Sequence, residues 1–495
     1  MIRSFVKTLG LVIAAFVALF FVAVAKPERA APLPEHGQDR LIINARIVDV
    51  ANGTTSEVTN IRIRGGTIVE IGKLLSATPE ESVLDGAGGY LIPGLWDMHV
   101  HTFQSSPQMH FPLWIANGVT HVRDMMGCPQ ESDTLVACAR DKRRWNGQIA
   151  EGNLAAPHIV EMVSFYLEGD DLTPAEAGRL VRRYSDRGLD AIKVYNRLTR
   201  PAYHAAARAA RSRNLRVVGH LPKAVSLEDA IAAGQSSFEH AHLLPRHCFD
   251  RAQEWRSGKL DDLPPTDLIE TIVSEYDPAT CETAFAALRD AGSWYVPTHV
   301  TREEDARAGD PAFVNDPRLD FLDPLLRWAW NDDLSATRSR YAGEHGERAL
   351  RAYFSHGLRL TGEAHDAGVN VLVGTDTAIG GFRYHDELAH LVKAGMTEGE
   401  VLKAATLDAA RYAGMDDVAG SITVGKRADL VLLSANPLLD IANTRKIRAV
   451  VQSGRLYDRK QLDQLLAFAR NQARSPNIWA KLLWGFARSS VTGDL

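Results

Sequence analysis

Between about residues 94 and 420 the sequence alternates short apolar, β-branched runs with Ala-rich stretches of helical periodicity. This alternation limits the fold more than any other feature. The runs are GVTHVRD (118–124), AIKVYN (191–196), RVVGHLP (216–222), SSFEHAH (236–242), WYVPTH (294–299) and NVLVGTD (370–376), with helical stretches such as 201–213 and 227–233 between them. Repeated strand–helix units imply an α/β fold with a parallel sheet and right-handed crossovers. Roughly 330 residues of such units suit a (β/α)8 TIM barrel with insertions. The segment 300–356, rich in Asp, Arg and Glu, is too long for a plain loop and is expected to be a helical insertion near the active-site mouth.

β segments bracket this stretch. Before it, LIINARIVDV (41–50), NIRIRGGTIVEIG (60–72) and the run 89–92 read as strands separated by Gly turns. After it, ADLVLLSAN (428–436) and IRAVVQSGRLYD (447–458) repeat the same character. Together the flanks predict a small β-sandwich built from both ends of the chain, with the barrel inserted between its halves. The expected organisation is an N-terminal segment 1–25, a linker 26–40, sandwich strands in 41–93, the barrel in 94–420, the returning sandwich in 421–458 and a helical extension in 459–495. Within the extension, Trp479, Leu482, Leu483, Trp484 and Phe486 stand beside Lys481 and Arg488. That amphipathic pattern suits packing on the barrel, a partner subunit of a homo-oligomer, or a membrane surface.

Arg3 and Lys7 precede an uncharged apolar run, Leu9–Ala25, that ends in Ala23-Val24-Ala25. The run reads as a signal peptide with a small-x-small cleavage site, or as an uncleaved anchor. Either places the folded part outside the cytoplasm, in a periplasmic or extracellular space. Four cysteines, Cys128, Cys138, Cys248 and Cys281, permit two disulfides in such a compartment. Pairing of nearest neighbours is the expectation, with four buried thiols as the alternative. Lys and Arg number 56 against 61 Asp and Glu, a net charge of −5, which argues against a general nucleic-acid binder.

The motif Asp97-x-His99-x-His101 carries the strongest chemical signal. Residues two apart on a strand share a face, so His99 and His101 project together, as half of a zinc site. Alone, so short a motif is weak. Lys193, His220, His240 and Asp376, however, each close another strand-like run. Barrel active sites are assembled from the C-terminal ends of several strands. A lysine in that position is either paired with Asp97 or Asp376, or altered to a carbamate, whose two oxygens can bridge divalent ions. Arg123, Tyr195, His242 and His299 sit near strand ends and are candidates to face substrate. His158, His204 and His365 read as surface or packing residues.

This ordered set resembles the amidohydrolase superfamily, in its imidazolonepropionase-related and prolidase-like branch. Supporting segments are LIPGLWDMHVH, GVTHVRDM, IKVYNRLT, VVGHLP, GTDT and the tail AATLDAARYAGMDDVAGSITVGKRADLVLLSANPL, so that the likeness runs over about 41–458. The resemblance implies a two-metal site. His99, His101 and Asp376 would hold one ion, His220 and His240 the other, and carboxylated Lys193 would bridge them. Zinc is expected, and iron or manganese would also fit. The implied reaction is hydrolysis of a carbon–nitrogen bond in a small-molecule amide, cyclic amide or dipeptide by metal-activated water, with Asp376 as general base and then acid. A Xaa-Pro or related metallo-dipeptidase would share the site. A non-catalytic binding protein on this scaffold is disfavoured, because no ligand position is lost.

Overall fold

The computed structural model describes residues 2–35 and 39–491. Its first regular element is a helix, Ile2–Ala25. Five strands follow: β1 (Arg40–Asp49), β2 (Thr54–Arg64), β3 (Thr67–Gly72), β4 (Ser82–Asp85) and β5 (Tyr90–Pro93). Eight short strands come next: β6 (Leu95–Val100), β7 (Val119–Asp124), β8 (His158–Met162), β9 (Ala191–Val194), β10 (Arg216–Gly219), β11 (Ser237–Glu239), β12 (Trp294–Val296) and β13 (Asn370–Val371). The chain returns to β structure with β14 (Leu430–Leu433), β15 (Ile447–Gln452) and β16 (Arg455–Asp458).

The flanking strands form one eight-stranded sheet in the order β16-β15-β14-β5-β1-β2-β3, with β4 beside β1. The join between the chain's two ends is the antiparallel pair β5–β14, where Leu430 faces Pro93 and Leu432 faces Leu91. The sheet bends over its own apolar centre of Ile42, Ile61, Ile63, Ile68, Leu91, Leu430, Leu432 and Val451. Its far edge meets the segment before β14 through the bridge between Thr67 and Arg427. The sandwich expected from the sequence is thus a single sheet curled on itself, because both flanks bury the same alternate residues.

The middle of the chain is mixed α/β. Strands β6, β7 and β8 pair in parallel, as do β9 with β10, and β11, β12 and β13. Parallel bridges join these groups, Val163 with Ala191 and Val217 with Gln235. Just past β13, Val373 O accepts from Met98 N at 2.8 Å, and Asp376 N donates to His99 O at 2.7 Å. Each of the eight strands is therefore tied by backbone to a neighbour on either side. Helices between them begin where a side-chain oxygen satisfies a free first-turn N–H: Thr173, Thr199, Ser226, Asp277 and Thr397. Strand β8 is absent from the sequence reading, and the runs 191–196 and 216–222 leave strand geometry after Val194 and Gly219.

The segment after β12 is helical, with His299–Ala306, Pro311–Val314, Pro324–Arg340 and Gly343–Asp366. Disulfides join Cys128 to Cys138 and Cys248 to Cys281, the nearest-neighbour pairing. In the C-terminal helix Pro476–Arg488, Ile478, Ala480, Leu482 and Gly485 are buried on the chain itself. On its other side, Trp484 meets Phe21 of the first helix with ring centroids 5.4 Å apart. The first helix otherwise leaves Leu11, Phe16 and Leu19 exposed. Among the described residues, no helix is long and apolar enough to cross a membrane. Residues 36–38 of the expected linker and 492–495 of the expected extension lie outside the described residues.

Candidate metal centre

Each of the six strand-end residues leaves the parallel strands at the same end. His99 lies within β6, with His101 one residue beyond it, and Lys193 lies within β9. His220 and His240 directly follow β10 and β11, and Asp376 follows β13. Three outward-turning contacts orient the imidazoles. His99 Nδ1–H donates to Glu239 Oε2 at 3.0 Å, and His220 Nδ1–H donates to Asn196 Oδ1 at 2.8 Å. His240 Nδ1 pairs with Thr298 Oγ1 at 2.8 Å. With Nδ1–H committed to an acceptor, the Nε2 lone pair of His99 and of His220 turns inward.

Those inner atoms converge. His99 Nε2 and His101 Nε2 lie 3.6 and 3.5 Å from Asp376 Oδ1. His220 Nε2 and His240 Nε2 face each other at 2.9 Å. Ligand atoms of His99, His240 and Asp376 all lie within 4.8 Å of one another. Lys193 Nζ is 3.4 Å from His101 Nε2. Its closest side-chain partner among the described residues is thus His101, not Asp97 or Asp376.

Burial first, and neighbouring cations second, hold His99 and His101 well below the usual imidazole range. Burial also dominates the lowering at His220 and His240. Neutral imidazoles are the form that binds metal. Burial pushes the Asp376 carboxyl up to about 6, against the opposing pull of Lys193. It likewise lowers the Lys193 ammonium pKa. His99 Nε2 is buried without a hydrogen-bond partner. A cation would satisfy that orphan atom, and it would also relieve the two facing Nε2 atoms. The residues present fit a divalent ion.

Two further carboxylates, Asp97 of the sequence motif and Glu239, which sequence reasoning left without a role, shape the site. Asp97 accepts from Thr375 N at 3.0 Å and Thr375 Oγ1 at 2.7 Å, which fixes the turn that presents Asp376. Glu239 holds His99 on one side and receives both Nη2 hydrogen bonds of Arg123, at 2.8 and 2.9 Å, on the other. Arg123 is therefore not a substrate residue. It is fully buried, and its remaining donors go to Met98 O, Ser237 Oγ and the Tyr412 hydroxyl. His299 is fully buried, packed beside Phe354 and His390, and its backbone N–H donates to Glu387.

Tyr195 and His242 are better placed. The Tyr195 ring lies 4.0 Å from that of His220, and the His242 ring lies 5.5 Å from that of His240. His242 and Asn196 open onto a cavity of about 470 Å³. Arg197, Lys223, Arg246 and Arg256 line it, which makes it cationic.

Lone pairs of neutral imidazoles and a carboxylate meeting at the ends of parallel strands define a candidate centre for a divalent cation and the hydrolytic chemistry such cations support. Residues 292–457 match the amidohydrolase family. A dihydroorotase of Anaeromyxobacter dehalogenans (strain 2CP-C) is 25% identical over 410 residues, 80% of this chain and 88% of that protein. Bottromycin amidohydrolase superposes with a TM-score of 0.64 at 23% identity, covering 94% of this chain and 95% of that one. A Xaa-Pro dipeptidase with methionine bound in its active site gives 0.59 at 20% identity, covering 85% and 100%. The chain is thus similar to the amidohydrolase family over residues 292–457, and to amidohydrolase-type enzymes in its overall fold.

Proposed function

We propose that this chain is an exported, metal-dependent amidohydrolase that cleaves a carbon–nitrogen bond in a small amide, cyclic amide or dipeptide. The observation that carries the reading is the convergence of His99, His101, His220, His240, Lys193 and Asp376 on one point at the strand ends. The backbone ties between all eight strands support a closed (β/α)8 barrel beneath that point. His99, His101 and Asp376 would hold one ion, and His220 and His240 a second. Lys193 would bridge them as a carbamate. Its lowered pKa favours the neutral amine, whose nitrogen bonds the carbon of CO₂ as a proton leaves. The nitrogen-rich ligand set favours zinc. When bound, such ions supply Lewis acidity and lower the pKa of water.

The chain's own groups do the rest. Asp376 Oδ accepts the proton of the attacking water and returns it to the leaving nitrogen. Thr375 and Asp97 keep the carboxylate aimed. Tyr195 and His242 flank the place a substrate carbonyl would occupy. In Asp376→Asn, bound metal should stay near the wild-type amount while kcat falls by at least about 10²-fold. Full activity in that variant would refute the assignment.

A metallo-dipeptidase is favoured within this class by the cationic cavity, which suits a substrate carboxylate. A panel of dipeptides and N-acyl amino acids, set against their amidated forms and neutral lactams, tests it: a preference for the neutral lactams removes this reading. Export is supported by the N-terminal apolar run and by two disulfides. Cell fractionation of the full chain would check it.

A further inference from the structure

At the opposite end of the strands from the candidate centre, a second set of ligating atoms meets. His121 lies on β7, His158 opens β8, and Asp429 directly precedes β14. His121 and His158 are paired across the two strands, with ring centroids 5.0 Å apart. Ligand atoms of His121, His158 and Asp429 lie within 4.8 Å of one another. His121 Nε2 is 3.6 Å and His158 Nε2 3.8 Å from the same oxygen, Asp429 Oδ2. These gaps are long for hydrogen bonds. They are close to the edge of about 3.4 Å that separates ligands of a tetrahedral zinc ion.

His121 and Asp429 are also held from behind, whereas His158 meets its polar neighbours at Nε2 itself, the atom that would bind. His121 Nδ1 pairs with Thr120 Oγ1 at 2.8 Å, and the ring stacks on Trp96 with centroids 4.1 Å apart. Asp429 Oδ1 accepts from Ser453 N at 3.0 Å, which turns Oδ2 toward the histidines. Ser453 Oγ stands 3.1 Å from His158 Nε2. His121 is 1% exposed, and its Nε2 has no hydrogen-bond partner; nor has Asp429 Oδ2. The Arg427 guanidinium reaches His158 Nε2 and lies 3.4 Å from Asp429 Oδ2 by Nε. It leaves His121 Nε2 without a partner, and its side chain is one-third exposed.

We infer that His121, His158 and Asp429 form a structural site for a divalent transition metal, with zinc the best match. The ion would clip β7 and β8 to the sheet made from both chain flanks. Arg427 and the metal are alternative occupants of one position. The site is separate from the candidate centre and does not depend on the reading given to that centre.

Metal analysis of the full chain, equilibrated with zinc and then dialysed, tests the inference against Asp429→Asn and His158→Gln. Each variant should hold one equivalent less than wild type while keeping wild-type turnover. Zinc added to chelator-treated protein should raise the Tm of wild type further than that of either variant. Arg427→Gln, which removes the competing cation, should bind zinc about tenfold more tightly at this site and remain folded without it. Equal zinc content and equal zinc-dependent Tm shifts in wild type, Asp429→Asn and His158→Gln would overturn the site. So would an Arg427→Gln protein that loses stability without gaining zinc affinity, because Arg427 would then be the resident cation. If both substitutions at the ligands prevent folding, the Arg427→Gln titration alone decides between these outcomes.

Discussion

Arg123 and Glu239 set the geometry on which the candidate centre rests. Both are fully buried, and Glu239 also accepts from His99 and from Ser237 Oγ. Removing one partner of such a pair strands the other charge at a cost of about 3–5 kcal/mol. Arg123→Met should therefore lower the Tm strongly and loosen His99, with metal affinity falling about 10–100-fold. Thermal melts with and without zinc would measure both. The placement of His99, His101 and Asp376 at strand ends is legible in the sequence, because ligand-type residues there stand out locally. Glu239 is not, since in SSFEH it reads as an ordinary polar residue. Its partners, Arg123 and His99, stand 116 and 140 positions away. Glu303 shows the same dependence on distant partners. Burial raises its pKa, but His390, Arg383 and Arg307 outweigh that and bring it down to about 2. A depressed carboxyl contributes stability above its ordinary value of 4.5, lost as pH falls through the folded value. Between roughly pH 4.5 and 2 this one group should remove on the order of 3 kcal/mol. An acid titration of Glu303→Gln should show a correspondingly flatter decline.

Strand β13 is only two residues long, yet the turn after it must bring Asp376 against β6. Gly374 makes that approach feasible: a Cβ there would sit 2.6 Å from Val296 Cγ1 and 2.9 Å from His99 Cβ. Gly374→Ala should cost about 1–3 kcal/mol through overpacking. It should also displace His99, so that metal content falls together with Tm; a variant with unchanged content would contradict the close approach. The same element scale explains a missed strand. HIVEM, which forms β8, begins and ends without the apolar run that marks its neighbours. Its Glu161 is buried only because Arg216 and the Tyr412 hydroxyl meet it. Neither partner is visible from the local pattern.

Across the whole molecule, the division into flanks and middle is legible because the β pattern before residue 94 returns after 420. The curl of that sheet is not, since it depends on which edges meet. Two disulfides add to this framework, and Cys248–Cys281 anchors the segment that follows His240 and His242 to the helix Pro278–Asp290. Cys248→Ser with Cys281→Ser should lower stability by about 2–4 kcal/mol, read as a shift in the denaturant midpoint. Protein made under reducing conditions, which lacks both disulfides, should be destabilised at least as much as that variant, and recover on oxidation.

The pairing of β5 with β14 has a consequence for synthesis. While the nascent chain is still on the ribosome, β5 presents an unfinished edge, and its partner emerges some 340 residues later. At about 5–20 residues per second that wait lasts tens of seconds, during which an unpaired edge invites aggregation. The sheet that joins the two flanks stays open until β14 has been made. Any product stopped before β14 keeps that edge open, which makes it a target for chaperones or proteases.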